Sequence, residues 1–229
     1  MLTSSYILNL SQFERRLSLM KQAIFVMMDQ YADWEGAHLS SQLNQMTDWT
    51  VKTASNQPEV TSIGGWTTRV DYQISELNPE MTLLVLIGGN AWQHDDPRLT
   101  ALIQQCLQRK VIVGAICGAV DYLARNGLLT GYRHTGNAQF SWQSFPKYQN
   151  PTDFELQQVV VDRQLVTANG TAALSFTSAV LKASGQLTIA AKQALDLQQL
   201  GYYDNTETHL NCRGDRSWIR LVLKKVTDC

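Results

Sequence analysis

The sequence predicts an α/β domain: a mostly parallel sheet with helices on both faces, a three-layer sandwich. Two observations predict it. Apolar runs of strand length, Ala23 to Met28, Met81 to Ile87 and Val111 to Ile116, lack the alternation of a half-exposed strand, so they read as strands buried on both sides. Segments with helical apolar spacing lie between them, and strands alternating with helices imply parallel pairing through crossover helices. With 229 residues, 44% hydrophobic content and a net charge of −1, the chain can bury one such core and shows no electrostatic footprint for nucleic acid.

The elements follow in chain order. After the first strand, Trp34 to Met46 places Leu39, Leu43 and Met46 on one helical face. A strand at Thr50 to Ala54 precedes a hairpin around Gly64-Gly65, flanked by Ser62-Ile63 and by Thr67 to Val70. The buried strand Met81 to Ile87 leads to a helix over Pro97 to Arg109, with proline near its first turn. The strand Val111 to Ile116 then runs into a helix carrying Ala119, Val120, Tyr122, Leu123 and Ala124. A hairpin of Val159 to Asp162 and Leu165 to Ala168 across Arg163-Gln164 precedes two closing helices, Ala172 to Ala183 and Leu187 to Leu200.

Residues 20–203 are expected to form the domain. Met20-Lys21-Gln22 resembles a natural start, which makes 1–19 an N-terminal extension, and 204–229 loses the alternating pattern and reads as a polar tail. The longest apolar run is too short to span a bilayer, and Arg15-Arg16 comes too late for a signal peptide, so a cytoplasmic location with reduced thiols is expected.

Cys117 sits where the third buried strand turns into its helix, between Gly114-Ala115-Ile116 and Gly118-Ala119. A sharp strand-to-helix elbow tolerates no bulk beside the nucleophile it presents, which accounts for the small neighbours. The free N–H groups of the helix N-terminus favour negative charge, so this thiol is expected to ionise readily. Cys106 lies on the apolar face Leu102, Ile103, Cys106, Leu107 and reads as core, while Cys212 and Cys229 lie in the tail. No spacing among the four suggests a metal site, and no phosphate loop is visible.

In a parallel sheet, sites gather beyond the carboxyl ends of the strands. Three loops should meet there: Asp29 to Gly36, Gly88-Gly89-Asn90-Ala91-Trp92, and the Cys117 elbow. Gly88-Gly89 permits close backbone approach, and the N–H groups of Gly89 and Gly118 could form a two-donor oxyanion hole. Asn90 and Trp92 are candidate substrate-binding residues, and Trp34 and Trp66 are further candidates to wall the crevice. His38, His94 and His209 read as surface or helix residues.

The combination Tyr31-Ala32-Asp33-Trp34-Glu35, Gly88-Gly89-Asn90-Ala91-Trp92 and Ala115-Ile116-Cys117-Gly118-Ala119 resembles the PfpI/DJ-one superfamily over about residues 20–200; the segment Thr167 to Ala172 is similar too. The resemblance implies a flavodoxin-like, class I glutamine amidotransferase-like fold, with Cys117 as the reactive thiol and Glu35 bonded to it. A glutamate touching a thiolate is expected to be protonated, both a donor to sulfur and a proton carrier. The position after the cysteine, a histidine in protease-like members, is Gly118, which argues against peptidase activity. Other members carry a histidine after the following strand. Here Arg133-His134-Thr135-Gly136-Asn137 aligns Asn137 there, with His134 three residues earlier. His134 either faces the site or is a strand residue with a satisfied ring. Asn137 could orient a substrate carbonyl or the thiol, but it is no base.

The resemblance therefore implies a cysteine-dependent enzyme of amidase, glyoxalase, deglycase or amidotransferase-like type, acting on a small carbonyl or amide compound without a cofactor. The alternative is a non-enzymatic redox or stress protein whose Cys117 is oxidised. A homodimer is expected by the same resemblance, and no metal is expected because the sequence shows no ligand cluster.

Overall fold

The computed structural model describes residues 20–201. The proposed extension at 1–19, residues 202–203 and the whole 204–229 tail, with His209, Cys212 and Cys229, lie outside the described residues. The strands are β1 (Lys21–Val26), β2 (Trp49–Ser55), β3 (Glu59–Thr61), β4 (Thr67–Arg69), β5 (Tyr72–Gln73), β6 (Leu83–Leu86), β7 (Ile112–Ile116), β8 (Val159–Asp162) and β9 (Leu165–Ala168). The α-helices are α1 (Asp33–Asn44), α2 (Pro97–Gln108), α3 (Gly118–Arg125), α4 (Ala173–Ala183) and α5 (Ile189–Leu200). Seven strands make one sheet in the order β5-β2-β1-β6-β7-β9-β8, parallel throughout except for β8 against β9.

The apolar runs do what an unbroken pattern demands: successive residues serve opposite faces. Ile24, Val26, Leu84, Leu86, Val113 and Ala115 join the core under α2 and α3, while Ala23, Phe25, Leu83, Val85 and Ile116 join the core under α1, α4 and α5. Each fully buried Leu, Ile or Val side chain contributes about 1.5–3 kcal/mol from burial, so the two cores together make the sheet a rigid platform. The apolar face of α2 is buried as its spacing predicts, through Leu99, Leu102, Ile103, Cys106 and Leu107. Asp96 caps that helix, its Oδ1 accepting from the N–H of Arg98 at 2.9 Å and of Leu99 at 3.3 Å.

Two regions were not anticipated. The edge strand β5 has only two residues and gives no periodic signal. Between α3 and β8 the chain is irregular apart from 3₁₀ turns at Gln139–Trp142 and Pro151–Asp153, so His134 lies in no strand and makes one isolated bridge, to Phe154.

Candidate active site

Cys117 ends β7 and begins α3 with φ 58 and ψ −129, a backbone conformation that costs a β-carbon residue energy and marks the elbow as held by its surroundings. Its N–H donates to the Ala168 carbonyl at 3.0 Å at the end of β9, which fixes the turn from the neighbouring strand. The thiol is half-buried.

Glu35, in the first turn of α1, is 1% exposed. The Gly88 N–H donates to its Oε2 at 2.8 Å, and the carboxyl shares a hydrogen bond with the Cys117 thiol. Asn137 arrives from the irregular segment. Its Oδ1 accepts from the Gly170 N–H at 2.8 Å, which turns Nδ2 to donate to the Cys117 sulfur at 3.2 Å. The Gly118 N–H also addresses the sulfur. Cys117, Glu35 and Asn137 therefore meet, brought from the elbow, the first turn of α1 and the irregular segment before β8.

This closeness depends on two glycines. A Cβ at residue 88 would lie 2.5 Å from the Cys117 Cβ and 2.5 Å from Glu35 Oε2, and a Cβ at residue 170 would lie 2.9 Å from the Cys117 sulfur and 3.2 Å from Glu35 Oε1. Gly170 was not among the predicted site residues; its place in the Asn169-Gly170-Thr171 turn after β9 was the available signal. Of the Gly88-Gly89 pair, it is Gly88 that holds the carboxyl. The Gly89 N–H has no hydrogen-bond acceptor among the described residues.

Burial pushes the Glu35 carboxyl up to about 7 against the pull of the thiol and the Gly88 N–H. Burial and the Glu35 carboxylate also push the Cys117 thiol above its ordinary value, while the Asn137 amide and the Gly118 N–H pull it down. The expectation of a thiol simply acidified by its helix N-terminus is thereby corrected. A carboxyl bonded to the thiol opposes the helix N-terminus, and ionisable groups this close interact in their titration.

His134 is corrected as well: it does not face the thiol. The ring is fully buried, with Nδ1 2.8 Å from the Tyr132 carbonyl and Nε2 2.8 Å from the Tyr148 hydroxyl, and it packs against Trp142, Tyr148 and Phe154. Burial lowers its pKa, against the pull of the Tyr132 carbonyl. Its role is to anchor the backbone that carries Asn137, together with the Thr135 N–H, which donates to Thr167 Oγ1 at 2.9 Å.

Gly89, Asn90, Trp92 and Gly118 line one depression of about 380 Å³, shared with Asp121, Arg125 and Phe145, which the sequence reading missed. Asn90 is tied to the first loop, its Nδ2 donating to Gln30 Oε1 at 3.3 Å. Trp92 is a buried wall, its Nε1 donating to the Ile87 carbonyl at 2.7 Å. Trp34 and Trp66 are instead exposed, 51% and 71%, and do not wall this crevice. Among the described residues no group of three His, Cys, Asp or Glu side chains is placed to hold a metal ion, and no helix is long and apolar enough to cross a membrane.

Residues 21–183 match the model of the DJ-1/PfpI family. The chain belongs to that family. Among DJ-1/PfpI relatives, a Bacillus subtilis protein named "Uncharacterized protease YdeA" is 47% identical over 163 residues, 71% of this chain and 83% of that protein. Two solved DJ-1/PfpI structures resemble the fold at TM-score 0.73. A DJ-1 superfamily protein from Agrobacterium tumefaciens is 30% identical, with 78% of this chain and 97% of that one covered. A thiJ/pfpI family protein from Bacillus anthracis is 31% identical, with 79% and 91% covered.

Proposed function

We propose that this DJ-1/PfpI protein is a cysteine-dependent enzyme that acts on a small carbonyl or amide compound with its own groups as reagents. The observation that carries the reading is the convergence of a carboxyl poised near 7, a side-chain amide and a backbone N–H on one half-buried sulfur. The thiol gives its proton to the Glu35 carboxylate as the sulfur attacks the carbonyl carbon. A C–S bond forms, and the C=O π pair moves to oxygen, where the N–H groups of Gly89 and Gly118 stabilise the charge. Glu35 then returns the proton to the new alkoxide of an aldehyde adduct or, from an amide, to the departing nitrogen, and water later cleaves the thioester.

The protease name of the Bacillus subtilis relative supports hydrolysis in general. Gly118 in place of a histidine, and a His134 committed to Tyr132 and Tyr148, bring no imidazole base to the thiol from either position, which favours small activated substrates over peptides. The homodimer is proposed on the family resemblance and tested by light scattering; a cytoplasmic location is proposed separately and tested by fractionation.

A second reading has the same donors in its favour. Two equivalents of peroxide would take the thiol through sulfenic to sulfinic acid, and Glu35, Asn137 and Gly118 could hold its oxygens. Turnover decides between the two. Wild type and Cys117→Ser are assayed on aldehydes, dicarbonyls and simple amides: turnover lost in the variant supports the enzyme, and no turnover from wild type with a discrete, Glu35-dependent oxidised form supports the redox protein.

A further inference from the structure

The depression beside the elbow carries information about the charge of the substrate, on the reading that Cys117 attacks a small carbonyl or amide. On α3, Asp121 and Arg125 stand one turn apart with the acid N-terminal to the base, the order that favours an ion pair across a helical turn. They do not pair. Arg125 Nε instead donates to Asp95 Oδ1 at 2.9 Å, its Nη2 donates to the Trp92 carbonyl, and the guanidinium lies 5.7 Å and 5.8 Å from the ring centroids of Tyr122 and Phe145. Asp121 Oδ1 accepts from Trp142 Nε1 at 2.7 Å.

Each charge is thus turned from the other by a partner of its own, and both line the depression that begins at Gly89 and Gly118. Arg125 Nη1 and Asp121 Oδ2 have no protein hydrogen-bond partner among the described residues. Burial pushes the Asp121 carboxyl up from its ordinary value, while the Trp142 hydrogen bond and the charge of Arg125 oppose it. A neutral ligand would leave Arg125 Nη1 and Asp121 Oδ2 without a charged partner. An anion alone would face Asp121 and Asp95, and a cation alone would face Arg125.

We infer that this depression recognises a zwitterion: a free amino acid or close derivative whose ammonium meets Asp121, whose carboxylate meets Arg125, and whose side-chain carbonyl reaches the mouth at Gly89 and Gly118. The spacing suits it. Asp121 lies about 4.5 Å and Arg125 about 10 Å along the helix axis from Gly118, and helical side chains lean back toward the N-terminus. Asp121 and Arg125 are then specificity-determining residues of the thiol's substrate.

The test needs no turnover. Cys117 is labelled with iodoacetamide in the presence of L-glutamine or L-asparagine, of glutaramic acid, which lacks the ammonium, and of 4-aminobutanamide, which lacks the carboxylate. One of the two zwitterions is expected to protect at about tenfold lower concentration than either singly charged probe, and Asp121→Asn, which keeps an acceptor for Trp142, to abolish its advantage over glutaramic acid. Equal protection by all probes, better protection by a singly charged one, or none by either zwitterion would overturn the inference. These outcomes leave the nucleophile reading intact, because aldehyde turnover tests that separately. Should Cys117 resist labelling, the nucleophile reading fails and calorimetry with the same probes tests zwitterion binding by itself.

Discussion

Cys106 and Cys117 are two thiols eleven residues apart on neighbouring elements, and both are pushed above their ordinary pKa by burial. Cys106 is fully buried on the inner face of α2 and pushed up to about 11, and its thiol has no hydrogen-bond partner among the described residues. Cys117 is only half-buried and has a carboxyl beside it poised near 7, an amide donor and a backbone N–H. Burial alone therefore makes a cysteine a small hydrophobe. Burial with a proton partner and two donors makes it a reagent.

The largest way to break this contrast is Gly88→Ala. The added methyl meets the Cys117 Cβ, Glu35 and the Ile116 carbonyl, where backbone must shift. The variant is expected to lose about 3 kcal/mol of stability and at least tenfold in Cys117 labelling, read by denaturant melts and peptide mapping. A variant that labels and melts like wild type would show that the close approach is dispensable.

Asn137→Ala sharpens the comparison by removing one donor and leaving Glu35 in place. Labelling of Cys117 at neutral pH is expected to slow about fivefold, the worth of one hydrogen bond to sulfur, with the thermal midpoint little changed. An unaltered rate would make Asn137 a latch for Gly170 alone.

The smallest effect is expected from Cys106→Ala. It should cost about 1 kcal/mol through the cavity it leaves and should not alter labelling of the folded protein. A clear loss of total labelling would mean that Cys106 is accessible after all.

Much of this is legible in the sequence. The unbroken apolar runs located the central strands, the spacing of Leu99 to Leu107 located the buried face of α2, and small neighbours at a strand-to-helix switch located the elbow. Glu35 and Asn137 came through the family pattern, since nothing local in either segment points at sulfur. His134 was ambiguous because its partners Trp142, Tyr148 and Phe154 lie eight to twenty residues onward in a stretch without periodicity. The thiol's titration was misjudged for a related reason: the helix N-terminus is local, but the burial and the carboxylate that oppose it come from β6, β9 and α1. Asp121 and Arg125 were readable as an i,i+4 pair, but that they are held apart by Trp142 and Asp95 is a tertiary fact.

The central claim is that Cys117 and Glu35 share a proton, and the pH profile of Cys117 alkylation in wild type and Glu35→Gln tests it most directly. In wild type the rate should rise in two steps, the first near 7 as the pair loses its first proton and the second at higher pH as the remaining proton leaves. Glutamine removes the carboxylate that pushes the thiol up, so the variant should show one step, below the upper step of wild type. Superimposable profiles, or a single wild-type step unmoved by the substitution, would contradict the account.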